Sequence, residues 1–255
     1  MLTTERQTEI YEILKVKKAV TVNQLCDRLF VSSATIRRDL TELEKTGLIR
    51  RSHGGAVLFE SAAGELSVLS RLRERVREKS EIAKLASLYI HDTDTLFLDP
   101  SSTVCSIVPY LTVFQHITVI TNGLHCAMEL SQKTNCKIYI PSGELVTRTN
   151  SIVSSDTLAY IRQFHADVAL VSCGGLALDA GATEANVEQS RVKLSMLRRA
   201  RTKILLCDKS KFDKVFLSKT CELGYFDYVI TDQAPSEAWL QFFAEAPCEL
   251  VYPEE

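Results

Sequence analysis

Two short apolar stripes at helical spacing, split by a three-residue break and followed by a glycine-rich pair of β-like runs, occupy residues 21–58. Val22, Leu25, Cys26 and Leu29 fall at i, i+3, i+4 and i+7, which lays one apolar stripe along a short helix. Phe30-Val31-Ser32 breaks the stripe, and Ser32 can cap the helix that follows. In that second helix Ile36, Leu40 and Leu43 repeat at i, i+4 and i+7 and face inward. At about 100° per residue, Ala34, Arg38, Thr41 and Lys45 lie roughly opposite, with Arg37 on the flank and Ser33 and Thr35 in the first turn. An outer face of small, hydroxyl and basic residues suits the DNA major groove. Bulk is poorly tolerated there, whereas Arg can donate two hydrogen bonds to guanine or pair with phosphate.

Gly47 is the expected stop of this helix. Leu48-Ile49-Arg50-Arg51, Ser52-His53-Gly54-Gly55 and Ala56-Val57-Leu58-Phe59 then read as strand, glycine turn and strand, a basic hairpin or wing. An Arg37-Arg38 pair on a helix is by itself usually a solvated face; joined to the wing, it points to DNA. Net charge is −2, so the whole molecule is no polycation and binding must rest on local charge. Up to Gly55, ten Lys/Arg stand against seven Asp/Glu, and Arg37, Arg38, Arg50 and Arg51 are expected to converge.

Thr35-Ile36-Arg37-Arg38-Asp39-Leu40, Leu43-Glu44 and Gly47-Leu48-Ile49-Arg50-Arg51-Ser52-His53-Gly54-Gly55-Ala56 resemble the DeoR family of bacterial transcriptional repressors. The resemblance implies that Ser33, Thr35, Arg37, Arg38, Thr41, Arg50, Arg51, His53 and Gly54 face double-stranded operator DNA. Phe30 stands in the inter-helix turn, where a small or polar residue is more usual. A left-handed backbone strains a Phe, so another turn conformation is expected.

A chain of 255 residues can bury one large or two ordinary cores. The eight cysteines form no Cys-x-x-Cys and no zinc-like pairing with the five histidines, and several sit in apolar runs, as Cys207 does. Buried free thiols are expected, with no metal and no cofactor. No signal peptide opens the chain, and no apolar run approaches the ~18 residues of a membrane span. A cytoplasmic location without a membrane partner is expected.

Ile10, Ile13 and Leu14 mark a first helix over residues 3–17, placed to back the recognition helix. Ser61-Ala62-Ala63-Gly64 has the composition of a linker. The mixed-charge run 71–79 belongs to a helix expected across most of 68–90, its charges solvated and paired along the surface. From Thr95 onward, β-rich runs alternate with amphipathic segments. The runs are Thr95–Leu98, Ile117–Ile120, Lys137–Ile140, Val168–Ser172, Lys203–Cys207, Tyr228–Ile230 and Glu249–Tyr252. Helices are expected at Val104–Leu111, Leu124–Gln132, Ile152–Phe164 and Val187–Arg199. This alternation predicts an α/β fold: a winged helix-turn-helix over 1–58, a linker over 59–74, and a doubly wound α/β domain over 75–255.

Ligands of such sheets bind outside the carboxyl ends of the strands. After Leu98 comes Asp99-Pro100-Ser101-Ser102-Thr103, a hydroxyl-rich loop entering a helix, where backbone N–H groups and the helix dipole can favour a phosphate. Other runs end in Thr121-Asn122-Gly123, Pro141-Ser142-Gly143-Glu144, Cys173-Gly174-Gly175, Asp208-Lys209-Ser210-Lys211-Phe212 and Thr231-Asp232. Each could be an ordinary turn; their accumulation on one sheet edge favours a polar ligand.

These loops, with Gly181-Ala182-Thr183-Glu184 and Lys193, resemble the sensor domain of the same family, so the resemblance spans nearly the whole chain. It implies a fold similar to ribose-5-phosphate isomerase and a phosphorylated sugar or sugar alcohol as effector. Asp99, Ser101, Ser102 and Thr103 would then hold phosphate or adjoining hydroxyls, beside Asn122 and Gly143, with Glu184, Lys193 and Lys211 completing the pocket. Pro100 and Ser142 stand where the family more often has glycine, which alters loop shape. A homo-oligomer, dimer or tetramer, is expected because repressors of this kind read repeated half-sites.

The reading is a DNA-binding repressor of a carbohydrate-utilisation operon, with no catalytic residue assigned. Two alternatives stand beside it. One is an isomerase-like enzyme with a DNA-binding appendage, using Asp99, Glu184, Lys193 or Asp208 as acid, base or electrophile. The other is a constitutive DNA-binding protein with an inert α/β oligomerisation domain.

Overall fold

The computed structural model describes residues 3–45, 49–52, 54–58 and 68–253. The chain divides into two compact units, Met1–Glu74 and Arg75–Glu255. Gly47, His53 and the linker residues 59–67 lie outside the described residues. No helix among the described residues is long and apolar enough to cross a membrane.

The first unit runs α1 (Thr3–Lys17), β1 (Ala19–Thr21), α2 (Val22–Leu29), α3 (Ser33–Lys45), β2 (Ile49–Ser52), β3 (Gly55–Leu58) and α4 (Val68–Arg73). The expected stripes are its core: Ile10, Leu14, Leu25, Ile36, Leu40 and Leu43 are buried together. Thr21 and Gln24 close a capping box at the start of α2: Gln24 N–H donates to Thr21 Oγ1 at 3.2 Å, and Thr21 N–H donates to Gln24 Oε1 at 3.0 Å. The wing gains a third strand that the sequence reading did not anticipate, in the antiparallel order β1-β3-β2. β1 lies so close that a Cβ on Gly55 would sit 2.2 Å from the Val20 carbonyl oxygen, so only glycine fits there. Residues 68–73, within the expected linker, form α4, and Tyr11 Oη of α1 donates to Glu74 Oε1 at 3.3 Å and lies 3.3 Å from Ser70 Oγ.

Phe30 corrects the expectation for the turn. It adopts the left-handed conformation (φ 54°, ψ 42°) as the C-cap of α2, donating its N–H to the Cys26 carbonyl. Its side chain is 91% exposed, so no packing compensates the backbone strain. A left-handed residue is a common way to end a helix, and here it turns the chain from α2 into α3 across a short break.

The second unit opens with α5 (Val76–Ser87), β4 (Thr95–Leu98), α6 (Ser102–Cys105), β5 (Thr118–Thr121), α7 (Leu124–Lys133) and β6 (Lys137–Tyr139). A hairpin of β7 (Glu144–Val146) and β8 (Ser151–Val153) follows, then α8 (Ser155–Ile161), β9 (Ala166–Val171), β10 (Gly175–Ala177), β11 (Gly181–Glu184) and α9 (Val187–Leu197). β12 (Ala200–Leu206), β13 (Ser218–Cys221), β14 (Tyr228–Ile230), α10 (Glu237–Glu245) and β15 (Glu249–Val251) complete it.

Seven strands pair in parallel in the order β15-β14-β12-β9-β4-β5-β6. Strands with both faces covered read as continuous apolar runs, and Leu96, Phe97 and Leu98 of β4 are accordingly all inaccessible. Strand order reverses between β4 and β9, because β5 and β6 are added on one side and β12, β14 and β15 on the other. Chains leaving the carboxyl ends of β4 and β9 therefore diverge and open a crevice.

Three expected helices are corrected. The helix expected across most of 68–90 is broken into α4 and α5, with Arg75 left-handed (φ 51°) at the start of α5. Val104–Leu111 is split between α6 and a 3₁₀ turn over Val108–Val113 that contains Pro109. Ile152–Phe164 becomes helical only at Ser155; Ile152 is in β8, and Ser154 caps α8 by accepting from the N–H groups of Asp156 and Thr157. The hairpin β7–β8, the small sheet β10-β11-β13 and α10 were not foreseen.

Candidate functional site

The outer surface of α3 is the first candidate. Ser33, Arg37 and Arg38 are exposed, and Thr35 and Thr41 are half-buried. Ser32 caps the helix through the N–H of Thr35 at 3.3 Å, while its Oγ lies 3.0 Å from Thr35 Oγ1. The side chains of Arg37 and Arg38 have no hydrogen-bonded or ionic partner among the described residues. Arg51 reaches back from the wing: its guanidinium donates to Thr41 Oγ1 at 2.9 Å, and its N–H donates to Glu44 Oε1 at 2.8 Å. Arg37, Arg51 and Gly54 line one cleft of about 240 Å³ between α3 and the wing.

The four arginines do not all converge. Successive side chains of a strand leave opposite faces, so Arg50 points away from the face on which Arg51 meets α3. Sequence reasoning also passed over Asp39, which shares a motif with Arg37 and Arg38 but turns inward. Its carboxylate accepts from Arg6 Nε at 2.6 Å and Nη2 at 3.2 Å, tying α1 to the recognition helix. Both are buried, and hydrogen bonding to Asp39 raises the Arg6 pKa against the opposing effect of burial.

The second candidate lies at the switch point of the large sheet. Asp99, immediately after β4, is inaccessible, and four donors surround its carboxylate. Oδ1 accepts from Ser101 N–H at 2.8 Å and Ser101 Oγ at 2.5 Å; Oδ2 accepts from Ser172 N–H at 2.8 Å and lies 3.0 Å from Lys193 Nζ. Lys193 extends from α9, donates to the Ser172 carbonyl at 2.7 Å and also pairs with Glu184 of β11. Burial pushes the Lys193 pKa down, but Asp99 and then Glu184 outweigh it, and the ammonium is held above the ordinary lysine range. One buried cation between two buried carboxylates thus joins the carboxyl ends of β4 and β9 to α9.

Asp99 and Lys193 have partners for their polar atoms within the fold; Ser101 spends its hydroxyl on Asp99 and on capping α6 through Val104 N–H at 3.3 Å. Ser102 and Thr103 differ, because among the described residues their hydroxyls have no partner. Asn122 donates to the Ile152 carbonyl at 2.9 Å, while its carboxamide oxygen is buried and unpartnered.

Gly143 is exposed at φ +150°, where a Cβ would meet Thr157 Oγ1 at 2.4 Å. Lys211 is half-buried in the turn after β12, and its ammonium has no partner among the described residues. Asp208 accepts from Ser210 N–H at 2.9 Å and pairs with Arg75 at 3.7 Å. Gln189 was not foreseen: Nε2 donates to Thr149 Oγ1 at 3.2 Å and Ser151 Oγ at 2.5 Å, and Oε1 is buried without a partner. The spacing of Gln189 and Lys193, i and i+4 on a helix with apolar neighbours, was the available signal.

The cysteines are free and six are buried, as expected of core thiols. Cys105 departs from inertness: hydrogen bonding with Cys126 pulls its pKa down to about 6 against the effect of burial, with His125 assisting. Among the described residues no group of three or more His, Cys, Asp or Glu could hold a metal ion.

Residues 6–62 match the DeoR-like helix-turn-helix domain, and residues 74–233 match the DeoR C-terminal sensor domain. The HTH-type transcriptional repressor GlcR of Bacillus subtilis is 34% identical over 98% of this chain and 96% of its own length. The HTH-type transcriptional regulator GolR of Listeria innocua is 32% identical over 95% of each chain. The glycerol-3-phosphate regulon repressor of Escherichia coli is 30% identical over 98% of this chain and 99% of its own. Ribose-5-phosphate isomerase A from Methanocaldococcus jannaschii aligns over 52% of this chain and 53% of its own, at 14% identity and a TM-score of 0.39. A likeness that slight bears on no residue's role. The relatives matched along their whole length are named as regulators and not as enzymes. With an exposed basic recognition helix, a wing and a parallel-sheet sensor domain, the chain belongs to the DeoR family of DNA-binding transcriptional regulators.

Proposed function

We propose that the chain represses a carbohydrate-utilisation operon and that a phosphorylated sugar or sugar alcohol, bound at the β4–β9 switch point, alters its affinity for operator DNA. The observation that carries this reading is a set of polar groups at one sheet edge without a partner among the described residues: the Ser102 and Thr103 hydroxyls and the buried carboxamide oxygens of Asn122 and Gln189. Hydroxyls and first-turn N–H groups can donate to a phosphate, while the two carboxamide oxygens can accept from sugar hydroxyls. Lys211 supplies a cation at the same edge. Asp99, Lys193, Glu184 and Ser101 hold the loop in place beneath the ligand, and Gly143 admits the β6–β7 loop close to it.

At the other end, Arg38, with Thr35 and Ser33, reads base edges. Arg37, Arg50, Arg51, Thr41, His53 and Gly54 meet the DNA backbone. Residues 1–58 act as the DNA-binding domain, 59–74 as the connection and 75–255 as the sensor. The active species is a homo-oligomer, at minimum a dimer, matching paired half-sites. Moving an equilibrium from 1:99 to 99:1 requires about 5.5 kcal/mol of differential affinity for one arrangement of the DNA-binding domains.

Thermal unfolding of the whole chain against phosphorylated and unphosphorylated sugars tests the proposal. A ligand at 100 times its Kd adds ~2.7 kcal/mol. A shift with a phosphorylated sugar that disappears in Ser102→Ala/Thr103→Val supports it; no shift with any sugar phosphate overturns it.

A further inference from the structure

α8 and α9 lie side by side on the outside of the sheet and leave a cleft of about 610 Å³ between them, within the size range of small-molecule sites. Four arginines line it: Arg162, Arg191, Arg198 and Arg199. Within this set, and among the described residues, only Arg191 meets a carboxylate, Glu188 at 3.1 Å. Arg199 is held in place, its Nε donating to the Phe164 carbonyl at 3.1 Å and its Nη2 lying 2.8 Å from His165 Nε2. Arg162 and Arg198 are exposed, and their side chains have no partner among the described residues.

Cations at helix C-termini complement the helix dipole, and that accounts for one arginine each at the ends of α8 and α9. It does not account for Arg199 beside Arg198, or for the gathering of all four guanidiniums on one cleft. Ser195 is a second, independent sign. It is 7% exposed, it lines the cleft, and its hydroxyl has no partner among the described residues. Leu158 and Leu194 supply apolar wall beneath the charges.

We infer that this cleft binds a nucleoside di- or triphosphate. The phosphates pair with the guanidinium forks, which match phosphate geometry bidentately. Three cations without a carboxylate partner among the described residues match the charge of a nucleoside polyphosphate rather than that of a single phosphate ester. The base lies on Leu158 and Leu194, where guanidinium planes can also stack on it. The cleft is distinct from the effector edge: Arg162 precedes β9 and Arg198 and Arg199 precede β12, so all three sit at the amino ends of strands whose carboxyl ends carry the switch-point site. α9, about 16 Å long, carries Lys193 toward the sheet and Arg191 and Ser195 toward the cleft, so occupants of the two sites share one helix.

Isothermal titration of the whole chain with ATP, ADP, AMP, adenosine and inorganic pyrophosphate tests the inference. ATP and ADP are expected to bind with Kd below about 1 mM, and Arg162→Gln/Arg198→Gln to weaken them by at least about tenfold. Arg162→Lys/Arg198→Lys keeps the charge but loses the forks and is expected to bind between these two. Because the DNA-binding surface is also basic, Arg37→Gln/Arg38→Gln serves as the control and should bind as wild type does. The inference is overturned if ATP and ADP do not bind, if they bind Arg162→Gln/Arg198→Gln undiminished, if only the control loses binding, or if pyrophosphate binds as tightly as ADP.

Discussion

Replacing Lys193 by methionine keeps the length of the side chain and removes the charge that holds Asp99 and Glu184 together. Asp99 is inaccessible to water and Glu184 nearly so, so the variant strands two buried carboxylates whose one paired cation among the described residues was Lys193 Nζ. Removing one partner of a buried ion pair costs about 3–5 kcal/mol. At ~2–4 °C per kcal/mol for a domain of this size, the transition of the larger unit falls by roughly 6–20 °C. Differential scanning calorimetry of the whole chain reads this directly. The pH dependence carries the electrostatic signature. Wild-type Lys193 has its pKa raised by folding, so its contribution is complete below the ordinary lysine range and is lost only as pH rises through the folded value. Glu184→Gln/Lys193→Met should recover part of the loss, because Asp99 keeps three neutral donors. A fall of less than about 2 °C would refute the view that the triad supports the switch-point loop.

Arg38→Ala should erase the preference for operator over random DNA, a loss of about 1–3 kcal/mol in the specificity ratio; a preserved ratio in competition binding would mean that α3 docks by another face. Arg50→Ala should weaken binding to all sequences alike and lower the slope of log K against log salt by about 0.9. Arg51→Ala also frees the wing from Thr41, so its effect should exceed that of Arg50→Ala, and equal effects would argue against the link. Phe30→Gly relieves a left-handed residue with no packing to lose, and should stabilise the DNA-binding unit by up to about 1 kcal/mol in chemical denaturation. Gly143→Ala places a methyl group 2.4 Å from Thr157 Oγ1 at φ +150° and should cost about 1–3 kcal/mol; an unchanged melting temperature would mean the loop relaxes freely.

Much of the fold is legible because it is local. The stripes through Leu25 and Leu40 and the cap at Ser32 act within a few residues, and the central β-rich runs, β4 and β9, are continuous because both their faces are covered. The elements that escaped prediction are short and depend on distant partners. β1 is a three-residue strand whose reason for existing is β3, and the β7–β8 hairpin and the β10-β11-β13 sheet are likewise defined by pairing. Ser154 shows the limit of periodicity: apolar spacing carried the expected helix back to Ile152, but the cap decides where helical hydrogen bonding begins.

The candidate site divides in the same way. The sequence by itself determined which loops are polar, which helix face is basic, and, through the alternation of runs, that the loops would gather on one edge of a parallel sheet. Tertiary structure alone decided what each polar residue does there. Asp99 and Ser102 belong to one hydroxyl-rich loop, yet one carboxylate is consumed by Ser101, Ser172 and Lys193 while the neighbouring hydroxyl stays open. Asp39 and Arg38 are adjacent in one motif, yet one turns to Arg6 and the other to solvent. Periodicity states which side of an element a residue occupies; it cannot state which distant group waits on that side, and a charged side chain takes its role from that partner.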